Sequence, residues 1–473
     1  MDYPIWNVPF LGGAMVIALI AIIHVFIAHF AVGAGIFNAF TESFSLRTHN
    51  GTLRQFLRDH SYFLILFSFI GGAITGVGIW FSIALVSPDA TAALIHLFIW
   101  AWATEYAFFI VEIVAGYIYY FTWDRLAPRA HALVGWIFAF AAFMSLVIIN
   151  AIISFMLSPN IGALDSAANP FRFDVVRGFF NPTAWPAMFL RTISALAIVA
   201  LFVMVLANAS RKYNPEQRDV IVRQAGKFLL PLILMIPCAG WFFYAVPEQA
   251  RFYVQGGAIA MTLLLAFGLV ASTLIGFYSY FVVIKKRPVT LETAVLLLAI
   301  ALVATGSSEF VREGMRKPYL IWDHMYSNGL LAARAPEIQR SLTETNTSML
   351  RFAPWAINPR DIQVYNQLNP LQTLPELSDA VFQGFDDRRL ADLGDTEPAR
   401  IIRGRWIYNA QCLRCHTVDG YNAIRPLVSN WTPATLDYTL QRLHEYKRFM
   451  PPFVGTPRDR GDLVSFLHHL EEK

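Results

Sequence analysis

The chain has 473 residues, of which 56% are hydrophobic and 15% charged. Soluble globular domains carry roughly 25% charged residues, so the composition excludes an ordinary soluble enzyme and points to an integral membrane protein. The net charge of +4 is small, and its basic residues sit in short inter-helix loops, so no nucleic-acid partner is expected.

No Lys or Arg precedes Arg47. The N-terminus therefore lacks the basic region of a cleavable signal peptide, and the first membrane helix is expected to direct its own insertion. Eight apolar runs reach the roughly 20 residues that a bilayer crossing needs: about 11–40, 59–87, 91–121, 131–157, 184–208, 228–247, 256–284 and 290–311. Helix 1 carries His24 and His29; helix 3 carries His96, Glu105 and Glu112. An ionisable group at the bilayer centre costs a few kcal/mol, which marks it for function. Glu105 and Glu112 are seven apart and share a helix face, which suits a proton route or the edge of a cofactor. The bland reading is a pair of hydrogen-bonded structural carboxylates. His29 and His96 are read as packing or interfacial residues, and the isolated Cys238 as a small packing residue.

The loops orient the bundle. Thirteen Lys and Arg fall in loops 1–2, 3–4, 5–6 and 7–8, against three (Arg172, Arg177 and Arg251) in the opposite loops. Basic loops stay in the cytoplasm, so eight crossings put both termini outside. The expected location is the bacterial inner membrane, multi-pass, with the C-terminal tail periplasmic.

After the bundle (1–311), residues 312–398 are polar with scattered prolines, and are read as an external connecting segment. Residues 399–473 form a compact unit. Within it "RWIYNAQCLRCHTVDG" places Cys412, Cys415 and His416 as C-x-x-C-H, the pattern for covalent attachment of haem c. Two thiols bond the porphyrin and the histidine ligates iron. A zinc site would need about four ligands and would have to recruit His444, His468 or His469. Haem c is attached outside the cytoplasm, so the motif and the loop charges agree on the tail's location independently. The unit resembles small class I cytochromes c through Gly404 and Tyr408 before the motif, Pro426 after it, "RFMPPF", and the closing helix "RDRGDLVSFLHHLEEK". The resemblance implies Met450 as the sixth iron ligand, and a thioether opposite histidine raises the potential for electron transfer.

Residues 15–210 resemble subunit I of the cytochrome bd-type quinol oxidases. The match runs through "IIHVFIAHFAVGAG", "GGAITGVG", "TEYAFFIVEI…WDRL" and "FNPTAWPAMFLRT", and more weakly through "EGMRKPY". The glycines of "GGAITGVG" alone could simply permit close helix packing. The resemblance implies that His24 ligates haem iron in the oxygen-reducing centre, with Glu105 and Glu112 bordering that centre and its proton path. Their spacing is one residue shorter than in the family. Where the family has a histidine ligand of a low-spin haem b, this chain has Arg191, while the family's methionine partner persists as Met261. A guanidinium cannot ligate iron. The external quinol-binding loop shrinks to about "PEQARFYVQGGA". Glu309 is the nearest candidate for the family's helix-8 glutamate ligand, displaced by about a turn.

The expectation is therefore an all-α, polytopic bundle of about eight helices with a small α-helical cytochrome c domain. It would be an oxidoreductase subunit with covalent haem c and one or more b- or d-type haems in the membrane. Electrons would pass between a periplasmic carrier and the membrane haems, with oxygen as terminal acceptor. The resemblance also implies a second membrane subunit, with quinol as a further candidate partner. The alternative is an electron-transfer or docking subunit without its own oxygen-reducing site.

Overall fold

This computed structural model describes residues 4–160, 174–283, 285, 287–376, 390 and 393–471; Arg172 and Lys286, counted among the loop charges, lie outside them. Among the described residues, eight helices are long and apolar enough to cross a membrane. They are α1 (Gly13–Thr48), α2 (Gly51–Val86), α3 (Ile99–Phe121), α4 (Pro128–Phe155), α5 (Ala184–Ala209), α6 (Pro215–Ala245), α7 (Ile259–Val282) and α8 (Leu291–Met315). The expected all-α membrane bundle is the fold observed. The strands among the described residues are one antiparallel hairpin pairing Tyr319–Ile321 with Met325–Tyr326.

Where the helices differ from the apolar runs, local chemistry explains it. α6 starts at Pro215, well before the apolar run, because Asn214 and Gln217 form a capping box and proline suits the first helical position. Pro231 then cannot donate an intrahelical hydrogen bond, and its turn tightens to a 3-10 segment over Lys227–Leu234. The run read as helix 3 breaks at Phe98, whose φ of −117° and ψ of 29° leave helical space; a separate helix, Pro88–Leu97, precedes it. In α2 the stretch Ile65–Gly71 is π-helical, an insertion frequent at functional sites.

The chain forms two compact units. One comprises Ile20–Ile79 and Leu94–Arg316. Its core joins Phe30 and Phe37 of α1, Leu57 of α2, Tyr119 of α3 and Phe138 of α4 to Val199, Leu201 and Val203 of α5.

The other comprises Met1–Leu19, Trp80–Ala93 and Lys317–Lys473. It contains α9 (Ala335–Thr345), α10 (Pro359–Leu368), α11 (Glu397–Gln411), α12 (Pro433–Gln441) and α13 (Pro457–His469). Leu342, Leu350 and Ile362 share one apolar core with Trp406, Ile407 and Leu463. Polar bonds stitch the same pieces: Ser348 Oγ donates to Asp459 (2.6 Å) and Trp406 Nε1 donates to Asp361 (2.9 Å). α11 and α13 cross closely at Gly404, where a Cβ would overlap the Asp462 carbonyl. Beside it Arg403 and Asp462 form a buried ion pair at 2.6 Å.

Candidate redox site

The C-x-x-C-H motif begins where α11 ends. Cys412 N–H closes the last turn on the Tyr408 carbonyl (2.8 Å), and His416 N–H bonds the Cys412 carbonyl (3.0 Å). One turn thus brings Cys412, Cys415 and His416 together. Tyr408 Oη donates to the His416 carbonyl at 2.8 Å. His416 Nδ1 lies 3.0 Å from the Asn422 carbonyl. A carbonyl only accepts, so Nδ1 carries the proton and Nε2 keeps its lone pair; such an outer partner is what fixes a metal-binding tautomer. Burial lowers the His416 pKa, with Lys317 adding to the effect against the Asn422 bond, which favours the neutral, ligating form. Burial and the neighbouring Cys415 push the Cys412 thiol up to about 12. These residues fit a covalently attached haem c.

Met450 lies in a loop held at both ends. His444 Nδ1 donates to the Met450 carbonyl (2.9 Å), and Gln411 exchanges two bonds with the Val454 backbone, at 2.9 and 3.1 Å. The segment after α12 is thereby pinned to the last residue of α11, next to the motif.

The same unit seats the motif on the start of α1. Tyr421 N–H donates to the Phe10 carbonyl (2.7 Å). Thr417 packs on Gly12, whose φ of +71° suits glycine, and a Cβ at Gly420 would overlap the Phe10 backbone. Arg414 forms a buried ion pair with Asp89 of the Pro88–Leu97 helix. Gly329, at φ +83°, leaves the room both side chains occupy.

In the membrane unit, His24 Nδ1 lies 2.9 Å from Thr75 Oγ1, and that hydroxyl donates to the Gly71 carbonyl at 2.7 Å. Its proton spent, Thr75 accepts from Nδ1–H, and His24 Nε2 is again the lone-pair nitrogen. Gly71 closes the π-helical stretch of α2. A Cβ on Gly76 would come within 3.3 Å of His24 Cε1, so the ring lies against this glycine. The "GGAITGVG" segment therefore orients a histidine as well as packing a helix. Such a histidine fits a membrane haem whose iron it would ligate.

Glu105 accepts from Ser145 Oγ of α4 at 2.6 Å, and Glu112 is half-buried one heptad further along α3. Arg191 has a carboxylate partner: its Nη2 lies 2.7 Å from Glu309, whose other oxygen meets Arg312 Nε at 3.0 Å. Glu309 is thus held by two guanidiniums, an arrangement that suits an ion triad. Met261 is buried, with its sulfur where a Gly314 Cβ would be. His29 is buried and coupled electrostatically to Arg191 and Glu309. His96 lies on the Pro88–Leu97 helix. Sequence reasoning missed Thr75, Arg312 and a buried Glu42–His131 pair. Glu42 was visible as an acid in an apolar run, but its partner is 89 positions away.

Residues 14–243 match the family model of cytochrome bd terminal oxidase subunit I, and residues 399–467 match that of subunit III of cbb3-type cytochrome c oxidase. A search of curated proteins finds no match. Among solved structures, the bd oxidase from Geobacillus thermodenitrificans is similar at 16% identity with a TM-score of 0.53, covering 65% of this chain and 87% of that one. That likeness shows the fold, and the family models add the domain identities. The chain is a multi-pass membrane protein whose residues 14–243 are similar to cytochrome bd oxidase subunit I and whose residues 399–467 are similar to the cytochrome c subunit III of cbb3-type oxidases.

Proposed function

We propose that this cytochrome bd-like electron-transfer subunit receives electrons from a periplasmic carrier at its C-terminal domain and delivers them to a haem in the membrane bundle, with oxygen as the terminal acceptor. Cys412 and Cys415 would hold the haem c covalently, and His416 and Met450 would ligate its iron. His24 ligates the membrane haem, and Met261 is retained from a second haem site. Glu105 and Glu112 supply protons. When bound, the two haems provide one-electron redox chemistry; the protein orients the ligating nitrogens, excludes water and moves protons. A second membrane subunit completes the complex, and the tail faces the periplasm. Tethering a redox module raises its local concentration to roughly millimolar.

The observation that carries this reading is the seating of the haem-attachment turn on Phe10 and Gly12. These residues lead into the helix that carries His24, whose tautomer presents Nε2. A second reading, electron transfer between quinol and an external acceptor without oxygen chemistry, is favoured by the Arg191–Glu309–Arg312 triad, where the family resemblance implies haem ligands.

Pyridine-haemochrome analysis of the purified complex separates the two. The expected result is haem c together with a non-covalent b- or d-type haem whose reduced form binds carbon monoxide. Haem c alone would overturn the oxidase reading for this subunit. Thr75→Val is expected to weaken membrane-haem retention by about 10–100-fold, the usual cost of losing an outer partner of a metal ligand. Thr75→Ser, which keeps the hydroxyl, is expected to retain the haem; haem content per protein measures both.

A further inference from the structure

Towards the far end of α1 from Gly12, Glu42 and His131 of α4 are both fully buried and lie 2.7 Å apart, Oε1 to Nδ1. His131 Nε2 is 2.8 Å from the backbone carbonyl of Tyr119. The ring is enclosed by Tyr119 and Trp123, at 4.5 and 4.2 Å between centroids. Trp123 is itself fixed to Ser61 of α2 at 3.0 Å.

The protons in this arrangement can be counted. The Tyr119 carbonyl only accepts, so Nε2 carries one. The 2.7 Å contact holds a second, either on Nδ1 as imidazolium beside carboxylate or on Oε1 as carboxylic acid beside neutral imidazole. Both forms have zero net charge, so the proton can shift within the pair without moving charge across the membrane. Glu42 Oε2 and the Tyr119 hydroxyl are both buried, and the two groups interact with each other. Gly135 provides the space: a Cβ there would come within 2.9 Å of the Tyr119 ring and 3.6 Å of Oε2. The pair therefore has one open position, an acceptor oxygen able to take a third proton, and one neighbour able to pass it on.

Tyr119, Glu112 and Glu105 follow one another at intervals of seven on α3, so they share a face, with roughly 10 Å of helix rise per interval. We propose that Glu42 and His131 form a proton-loading site that feeds the Glu112–Glu105 row through Tyr119. The site takes one proton from water onto Glu42 Oε2 as an electron reaches the membrane centre. Glu42 then gives a proton to Tyr119 Oη as the tyrosine releases its own through intervening water towards Glu112. Each donor regains the proton it loses, and the pair returns to two protons. This rests on the proton role given to Glu105 and Glu112 above.

The test uses the purified complex, reduced chemically in weakly buffered solution with a pH indicator. The wild type is expected to take up protons as its membrane centre is reduced. Glu42→Gln keeps an acceptor oxygen for His131 but cannot hold the proton. It is expected to slow uptake on the order of a hundredfold, the scale of losing a positioned acid–base group, with haem content unchanged. Uptake at the wild-type rate with full haem content would overturn the proposal and leave the pair as a structural tie between helices. Should Glu42→Gln lose its haem, Tyr119→Phe decides: slowed uptake supports the relay, and an unchanged rate overturns it. A wild type that takes up no proton on reduction fails the proton role of the whole bundle, and this proposal with it.

Discussion

Replacing His24 with alanine is expected to abolish the membrane-haem signal of the purified complex while leaving one haem c per chain. The two ligand sets are built separately. His416 takes its tautomer from Asn422 within the C-terminal unit, whereas His24 takes its tautomer from Thr75 on the neighbouring membrane helix. Removing the imidazole deletes the Nε2 lone pair that Thr75 orients. Cys412 and Cys415, which would bond the haem c, belong to the other compact unit. Reduced-minus-oxidised spectra combined with haem extraction read the two centres apart, because covalent haem stays with the protein. An unchanged content of extractable haem would show that His24 is a packing residue held by a threonine.

The eight crossings were legible because the bilayer imposes a length and a polarity that few other constraints imitate. The haem c motif was legible because its three reactive residues fall within five consecutive positions. Pairings across helices were not. Arg191 announced itself as a cation where a ligand was expected, but its partner, Glu309, lies 118 positions later on α8, and the second cation, Arg312, looked like the edge of the polar tail. Thr75 looked like one more small residue in a glycine-rich helix; only the hydroxyl's bond to Gly71 reveals which way its lone pair points. The stretch 317–376 was opaque for another reason. Its apolar residues are sparse and aperiodic because they fill gaps in a core they share with α11 and α13.

Glu309→Gln is expected to destabilise the membrane unit by about 3–5 kcal/mol, the range for breaking a buried ion pair from one side. The carboxylate stands between Arg191 and Arg312, at 2.7 and 3.0 Å, with all three side chains largely shielded. Removing its charge leaves two guanidiniums that neither deprotonate nor reach water easily. Adding Arg191→Met should recover part of the loss, since one uncompensated cation is removed with it. This recovery separates charge balance from packing, because packing defects would add rather than cancel. Thermal unfolding of the detergent-solubilised complex, followed by haem release, measures the stability. Haem content at low temperature tests the other reading of the same residue. If Glu309 were an iron ligand, the single variant would lose haem while still folded, and Arg191→Met could not restore it. Two arginines on one carboxylate argue for the first outcome, in which this acid of α8 serves to hold α5.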